Sequence, residues 1–230
     1  MDMALHAVCP SGEGEAMGDV QAGAVALVAE AALPTRHGDF RIAAFDVHGA
    51  ATEIIALLHG DPAAGDAPLV RLHSECLTGD VLGSMRCDCG EQLDASLGEI
   101  ARAPDGILLY LRQEGRGIGL MNKIRAYALQ DEGLDTVDAN IALGLPVDGR
   151  DYSAAAAVLR SLGAVKIRLL TNNPAKRDAL QQRGIEVVER VPLVIPPNPS
   201  NAGYLRTKAA RMGHLLARQS PDEQAEPEAG

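Results

Sequence analysis

The sequence contains no tryptophan, and only two phenylalanines and four tyrosines occur among its 230 residues. Proteins that bind single-stranded nucleic acids stack the bases on aromatic side chains, so this shortage disfavours such a partner. Acidic residues outnumber basic ones, and the formal net charge is -10 at pH 7. A surface that binds nucleic acid is usually basic. We therefore expect no nucleic-acid partner.

Long apolar runs are missing as well. No uninterrupted run approaches the roughly 18 residues that a membrane-spanning helix needs, so we expect no membrane partner. The weakly apolar stretch 20–33 has no lysine or arginine before it, which is not typical of a signal peptide. Closely spaced free thiols suit a reducing compartment. The expected location is the cytoplasm.

Cysteine is scarce, yet three of the four cysteines, Cys76, Cys87 and Cys89, lie in the polar stretch 71–92. Zinc favours thiolate ligands, and a catalytic zinc keeps three protein ligands so that water can take the fourth position. The paired CxxC knuckles of a closed zinc ribbon are missing. We therefore expect one Zn²⁺ per subunit on these cysteines. Small buried thiols, one disulfide, or a site closed by His73 are the alternatives.

The order of apolar runs and amphipathic segments predicts an α/β protein, a layered α/β/α domain with a mixed sheet. It begins with a group of three antiparallel strands, predicted at 25–34, 39–46 and 53–59. Further strands are expected at 69–73, 106–110, 166–170 and 185–190. Helices are expected after Cys89, from the loop 112–119 to about 132, and at 153–162, 175–183 and 204–216.

Finer expectations concern the segments around these elements. The helix after 112–119 should present a core face of Ile118, Met121, Ile124 and Ala128. The 134–149 segment should be an irregular connection, and Ser153 should cap the following helix. Residues 1–24 are expected to form a disordered leader, 25–218 the catalytic domain and 219–230 an acidic disordered tail.

Two loops after strands are suited to a phosphorylated ligand. The first is the glycine-rich loop 112–119, which lies between a strand and a helix and would direct backbone N–H groups at a phosphate. The second is the polar turn 171–174, which follows a strand where open α/β sheets bind ligands. The first loop fits neither a Walker loop nor GxGxxG, so the signal is weak by itself.

Longer motifs give a specific resemblance. RLHSECLTGD, RCDCGEQL, RQEGRGIGL, NKIRAYALQDEG, RLLTNNPAK and NPSNAGYL follow one another between about residues 33 and 216. The chain resembles GTP cyclohydrolase II in these motifs and in their order. The resemblance implies hydrolysis of GTP to 2,5-diamino-6-(5-phosphoribosylamino)pyrimidin-4(3H)-one, formate and pyrophosphate, the first step of riboflavin biosynthesis. It also implies zinc, Mg²⁺ with the substrate phosphates, and a homodimer.

The resemblance also assigns roles to residues. Cys76, Cys87 and Cys89 match the zinc ligands, and Tyr127 matches the tyrosine of ring opening. Asp148 and Arg150 match a proposed proton acceptor and a proposed arginine nucleophile. The positions that match GTP contacts are Arg71, Leu72, His73, Ser74, Glu75, Gln92, Glu114, Gly115, Arg116, Thr136, Thr171 and Lys176.

Several alternatives for residue roles and for the function stay open within this assignment. Arg150 could act as a charge clamp on phosphoryl transfer to water, because an arginine is normally protonated. Glu114 is a chemically suitable acceptor for the N1–H and amino group of guanine. A variant enzyme that stops at a formylamino product, and a catalytically silent zinc protein that binds GTP, are the alternative functions. Retention of Tyr127 disfavours the first, and the intact cysteines disfavour the second.

Overall fold

The structure is a computed structural model that describes residues 25–50, 53–196 and 201. The predicted leader 1–24, the predicted tail 219–230 and the predicted helix at 204–216 lie outside the described residues. In the part that is described, no helix has both the length and the apolar character needed to cross a membrane.

Three antiparallel strands begin the fold, as the sequence predicts. They are β1 (Val25–Thr35), β2 (Gly38–Val47) and β3 (Ile54–His59). β1 pairs with β2, and β2 pairs with β3. The turn at Arg36 and His37 joins the first two strands. β1 forms one edge of the sheet.

The remaining strands complete a mixed sheet in the order β1-β2-β3-β5-β4-β6-β7. They are β4 (Leu69–Ser74), β5 (Gly106–Leu111), β6 (Lys166–Leu170) and β7 (Glu186–Val191). β3 pairs antiparallel with β5, whereas the pairs β5–β4, β4–β6 and β6–β7 are parallel. The predicted fold class and mixed sheet are confirmed.

Helices cover both faces of the sheet. They are α1 (Leu77–Asp80), α2 (Cys89–Arg102), α3 (Leu120–Asp131), α4 (Thr136–Ala142), α5 (Ser153–Ser161) and α6 (Pro174–Gln181), with a 3-10 turn at Glu114–Gly117. The larger core joins one face of the sheet to α5 and to Leu180 of α6. The smaller core joins the other face to Ile100 of α2, with Leu93 and Leu97 packed against it.

The alternation of side chains along β4 decides which face its polar residues reach. Val70 and Leu72 enter the larger core, whereas Leu69 enters the smaller core. Because successive side chains of a strand point to opposite faces, Arg71 and His73 share the face of Leu69, towards α2. Since β4, β5 and β6 are parallel, the loops that follow them meet at one edge of the sheet.

The predicted core face of α3 is wrong. Met121 is 72% exposed and Ile124 is 48% exposed, whereas the buried residues of this helix are Lys123 and Ala126. Ala128 is exposed as well. The physical reason is that α3 turns its inner face to a polar cavity, described below, rather than to a hydrophobic core.

Two other local expectations are also wrong. The 134–149 segment contains α4, whose N-cap Asp135 accepts hydrogen bonds from the backbone N–H groups of Val137 and Asp138. Such a cap satisfies donors that would otherwise be unpaired, so seven residues can form a helix here. Ser153 does not cap α5. It is the first helical residue, and its hydroxyl donates to Asp151 at 2.9 Å.

Candidate active site

A cavity of about 690 Å³ lies where the loops after β4, β5 and β6 meet. The cysteine loop, the start of α2, the 3-10 turn, α3, α4 and the turn after β6 all contribute to its wall. Its lining includes the predicted residues Arg71, His73, Ser74, Glu75, Cys76, Cys87, Cys89, Gln92, Glu114, Gly115, Arg116, Tyr127, Thr136, Arg150, Thr171 and Lys176. The structure therefore brings most of the predicted site together.

Two predicted residues, Leu72 and Asp148, do not line this cavity. The side chain of Leu72 is in the larger core, and its backbone carbonyl accepts a hydrogen bond from Lys176 Nζ at 2.8 Å. Asp148 lines a smaller cavity of about 290 Å³, which Arg150 also lines. Arg150 thus contributes to both cavities.

The three cysteines form a compact group of free thiols. Their sulfur atoms lie within 4.8 Å of one another, and Cys76 Sγ is 3.7 Å from Cys87 Sγ. Two thiolates on one tetrahedral zinc at about 2.3 Å each are roughly 3.8 Å apart, so the spacing fits that metal. His73 is not a member of the group. The geometry favours a three-thiolate site over a disulfide or a site closed by histidine.

Glycines allow the cysteine loop to fold onto the start of α2. A Cβ atom at Gly79 would lie 2.9 Å from Cys87 Sγ and 3.3 Å from Cys76 Sγ. A Cβ atom at Gly90 would lie 2.4 Å from the carbonyl oxygen of Gly79. Larger residues at either position would separate the sulfur atoms.

Asp80 was not predicted as a site residue, and it holds the cysteine loop to the sheet. Its carboxylate accepts hydrogen bonds from the backbone N–H of Cys76 at 3.0 Å and from Tyr110 Oη at 2.9 Å. His73 Nε2 lies 3.0 Å from the same carboxylate. Burial lowers the pKa of His73 below its ordinary value despite this contact. A neutral His73 that donates from Nε2 has an accepting Nδ1, which has no hydrogen-bond partner among the described residues.

Glu114 connects the 3-10 turn to the cysteine loop. Its Oε2 accepts from the backbone N–H of Leu77 at 2.7 Å, and its Oε1 accepts from the N–H of Gly115 and from Lys123 Nζ, both at 2.8 Å. These contacts give the Glu114 carboxylate a structural role within the protein. The recognition of guanine by Glu114 stays a prediction.

Lys123 is a cavity residue that the sequence interpretation missed. The available signal was that Ala126 and Tyr127 follow Lys123 by three and four residues, which places both beside Lys123 on one face of a helix. The apolar residues at other positions of α3 form a competing helical stripe, and the prediction followed that stripe instead.

Tyr127 lies close to the cysteines. Its hydroxyl is 3.5 Å from Thr78 Oγ1, which is 3.6 Å from Cys76 Sγ. Burial raises the pKa of Tyr127 above its ordinary value. The Arg86 guanidinium lies 4.9 Å from the centre of its ring. The phenol is therefore protonated at neutral pH and is available as a proton donor.

Arg71 and Gln92, both predicted nucleotide contacts, are hydrogen-bonded to each other. Arg71 donates to Gln92 Oε1 at 2.6 Å and to the carbonyl of Leu170 at 3.0 Å. Gln92 donates in turn to Asp88 at 2.5 Å. Burial lowers the pKa of Arg71 to about 10, so its side chain is still cationic at neutral pH. This chain of bonds joins the segment between Cys87 and Cys89 to the carboxyl end of β6.

Arg150 forms a two-point ion pair with Asp148. Arg150 Nε donates to Asp148 Oδ1 at 2.8 Å, and its Nη2 donates to Oδ2. Burial by itself raises the pKa of Asp148, but the hydrogen bonds and charge of Arg150 outweigh burial and hold that pKa below its ordinary value. Asp148 is therefore ionised at neutral pH.

The 3-10 turn is joined to the segment that carries this ion pair. The backbone N–H of Gly149 donates to the carbonyl of Arg116 at 3.0 Å. Gly117 has a φ of +89°, and a Cβ atom there would lie 2.8 Å from the carbonyl oxygen of Gly149. The close approach of two backbones thus sets the distance between the 3-10 turn and Arg150.

Gly117→Ala is expected to lower both stability and activity. Forcing alanine into this backbone conformation costs about 1 to 2 kcal/mol, and the contact with Gly149 must also be relieved. The melting temperature should fall by roughly 2 to 4 °C per kcal/mol. The matched control is Gly184→Ala, because Gly184 follows α6 with a φ of +78° and nothing within 4 Å of its Cβ position. Equal effects of the two substitutions, measured by thermal unfolding and turnover, would show that the approach to Gly149 is unimportant.

Most of the chain is similar to one known protein family. The sequence model of GTP cyclohydrolase II matches residues 26–192. The GTP cyclohydrolase-2 of Cronobacter sakazakii is 56% identical over 190 residues, which cover 83% of this chain and 96% of that protein. The GTP cyclohydrolase-2 of Hahella chejuensis is 57% identical over 199 residues, which cover 86% of this chain and 96% of that protein.

Two further likenesses are partial. Riboflavin biosynthesis protein RibBA of Salinispora tropica is 58% identical over 193 residues, which are 84% of this chain. The chain spans about half the length of that relative, 48%. A crystal structure of RibBX, a two domain 3,4-dihydroxy-2-butanone 4-phosphate synthase from A. baumannii, has a TM-score of 0.43 at 22% identity and covers 73% of this chain and 40% of that chain.

The family match includes all the elements that line the cavity up to β7, from the cysteine loop to the turn after β6. The two GTP cyclohydrolase-2 relatives are matched over nearly their whole length. The family inferred from the motifs is thereby confirmed, and this chain belongs to the GTP cyclohydrolase II family of hydrolases.

Proposed function

We propose that this chain is a zinc-dependent GTP cyclohydrolase II of riboflavin biosynthesis. It would hydrolyse GTP to 2,5-diamino-6-(5-phosphoribosylamino)pyrimidin-4(3H)-one, formate and pyrophosphate. The observation that carries the proposal is the group of three free thiols within 4.8 Å in the wall of a cavity that also contains Arg116, Arg150 and Lys176. A metal site for hydrolysis and a basic surface for phosphates are thus in one cavity.

The cysteines would hold zinc and leave a coordination position open to the cavity. Zinc, when bound, supplies a nucleophile for hydrolysis near neutral pH by lowering the pKa of water from 15.7 to about 7. The protein fixes the positions of the three thiols that would hold the metal. Asp80 fixes the backbone N–H of Cys76, and Gly79 lets the sulfur atoms approach one another.

Tyr127 would act as the proton donor in opening the imidazole ring. The raised pKa keeps its hydroxyl protonated, and the hydroxyl lies on the cysteine side of the cavity. A protonated phenol can donate to a nitrogen that leaves carbon 8. His73 lines the same cavity, and the GTP contact predicted for it is part of this proposal.

The basic residues would hold the triphosphate. Arg116, Arg150 and Lys176 line the cavity and carry positive charge suited to phosphate oxygens. Mg²⁺ would be held largely by the substrate, because enzymes commonly bind it through substrate phosphates with few carboxylates.

Assembly and location are parts of the same proposal. β1 is an edge strand with exposed apolar residues, Leu27 at 54% and Val28 at 67%. An exposed apolar edge supports a homodimer. Light scattering on the purified protein measures its molar mass, and a monomer would contradict this part. The three free thiols support a cytoplasmic location, where thiols stay reduced.

The test of the proposed reaction is incubation of the purified protein with GTP, Mg²⁺ and zinc, followed by quantitation of formate and pyrophosphate. We expect both products from GTP, none from ATP, and loss of formate when a zinc chelator is present. A formylamino pyrimidine without formate would support the ring-opening variant. Binding of GTP without any product would support the silent zinc protein.

A further inference from the structure

The ammonium of Lys123 lies between the cysteine trio and Glu114. Lys123 Nζ is 3.1 Å from Cys76 Sγ and 2.8 Å from Glu114 Oε1. The side chains of Lys123 and Glu114 are only 11% and 10% exposed. Burying a charged group is costly unless partners offset the loss of water. These two contacts are therefore what keeps a lysine in this place.

The two neighbours of Lys123 Nζ are both hydrogen-bond acceptors. One is a carboxylate oxygen at 2.8 Å and the other a cysteine sulfur at 3.1 Å. The lysine ammonium has three donors and no acceptor, so it donates to both neighbours. Hydrogen bonds between a cation and an anion are about twice as strong as neutral ones.

The ammonium of Lys123 also offsets part of the negative charge of the thiolate group. Three thiolates around one divalent cation carry a net charge of minus one, and this charge would be buried beside Cys76 and Cys87. An ammonium that donates to one sulfur reduces the cost of that charge. Groups that hydrogen-bond a metal ligand fix its orientation and strengthen its binding. Glu114, which accepts from the backbone of Leu77 and Gly115, holds the ammonium in position.

We propose that Lys123 is a positioning residue that holds Cys76 as a metal ligand and, through Glu114, joins the metal site to the 3-10 turn. This inference rests on the proposed zinc site. It assigns Lys123 no contact with the reacting atoms. A different role, that of a partner for Glu114 alone, predicts that Lys123→Met has no further effect on zinc binding once Glu114 is also replaced.

The experiment measures zinc affinity by competition with a chromophoric chelator in the full-length protein. The variants are Lys123→Met, Glu114→Gln and the double substitution. The control is Arg125→Met, since Arg125 is an exposed residue of the same helix that bonds to Asn122. Loss of a hydrogen-bonding neighbour of a metal ligand typically weakens metal binding by about 10- to 100-fold. We expect that loss in Lys123→Met relative to the wild type and in the double variant relative to Glu114→Gln, and wild-type affinity in Arg125→Met.

The double variant decides between the two roles by comparison with Glu114→Gln, since both lack the Glu114 carboxylate and only the double variant lacks the contact of Lys123 with sulfur. If Lys123 served Glu114 alone, the double variant would bind zinc as tightly as Glu114→Gln, and that result overturns the inference. If circular dichroism shows that Lys123→Met does not fold, the same comparison still provides the test. A wild-type protein that binds no zinc overturns the proposed function and this inference together. A wild-type protein that binds zinc and forms formate, beside a double variant and a Glu114→Gln variant of equal zinc affinity, overturns the inference alone.

Discussion

Cys87→Ser is expected to abolish formate production from GTP and to remove most of the bound zinc. Cys87 Sγ lies 3.7 Å from Cys76 Sγ in the group of three thiols, so a hydroxyl there replaces one third of the protein ligands. Zinc sites in small domains provide about 10 to 16 kcal/mol from four ligands. Loss of one ligand should then weaken zinc binding by roughly 10²- to 10³-fold, because each 1.4 kcal/mol is a factor of ten.

The measurement combines elemental analysis with formate quantitation on the same preparation. Cys9→Ser is the matched control, since Cys9 precedes the region matched by the family, 26–192. It should keep full zinc content and activity. Formate production by a Cys87→Ser protein free of zinc would falsify the proposed role of the thiols.

The strands and the fold class could be predicted because their signals are local. Short apolar runs separated by glycine turns locate β1, β2 and β3, and the helix stripe of Leu93, Leu97 and Ile100 packs as expected. α4 could not be predicted as easily. Its sequence, TVDANIA, is short and weakly amphipathic, and its stability depends on capping by Asp135.

Some residues of the site were predicted and others were missed, and the difference has a physical reason. Motif residues such as Cys76 and Lys176 could be assigned by resemblance, and the parallel strands bring them to one cavity. Periodicity treats apolar residues as core, so it assigned Met121 inward and overlooked Lys123. It fails where the inner face of a helix meets a polar cavity. Asp80 was missed because its contacts with His73 and Tyr110 depend on the pairing of β4 with β5, which no local pattern records.

Arg150→Ala is expected to reduce pyrophosphate release by on the order of 10²- to 10³-fold, the loss typical when one preorganised electrostatic contact to a transition state is removed. Zinc content should be unchanged, because Arg150 is not a member of the thiol group. Single-turnover assays of pyrophosphate and formate measure the two halves of the reaction separately. Arg177→Ala is the control, since exposed Arg177 pairs with its neighbour Asp178. Loss of zinc in the Arg150 variant would contradict this division of roles.

Asp148→Asn distinguishes a nucleophilic Arg150 from a charge clamp. A nucleophilic guanidinium must lose a proton, and Asp148 is the group placed to accept it, at 2.8 Å from Arg150 Nε. The lowered pKa of Asp148 makes it a weak base, and an arginine is normally protonated. These facts favour the clamp, for which Asp148 only orients the guanidinium. We therefore expect Asp148→Asn to slow pyrophosphate release by only about 2- to 10-fold, because asparagine keeps one acceptor oxygen and one ordinary hydrogen bond contributes about 0.5 to 1.5 kcal/mol. A loss as large as that of Arg150→Ala, with a phosphorylated Arg150 peptide in acid-quenched samples, would instead establish the covalent route.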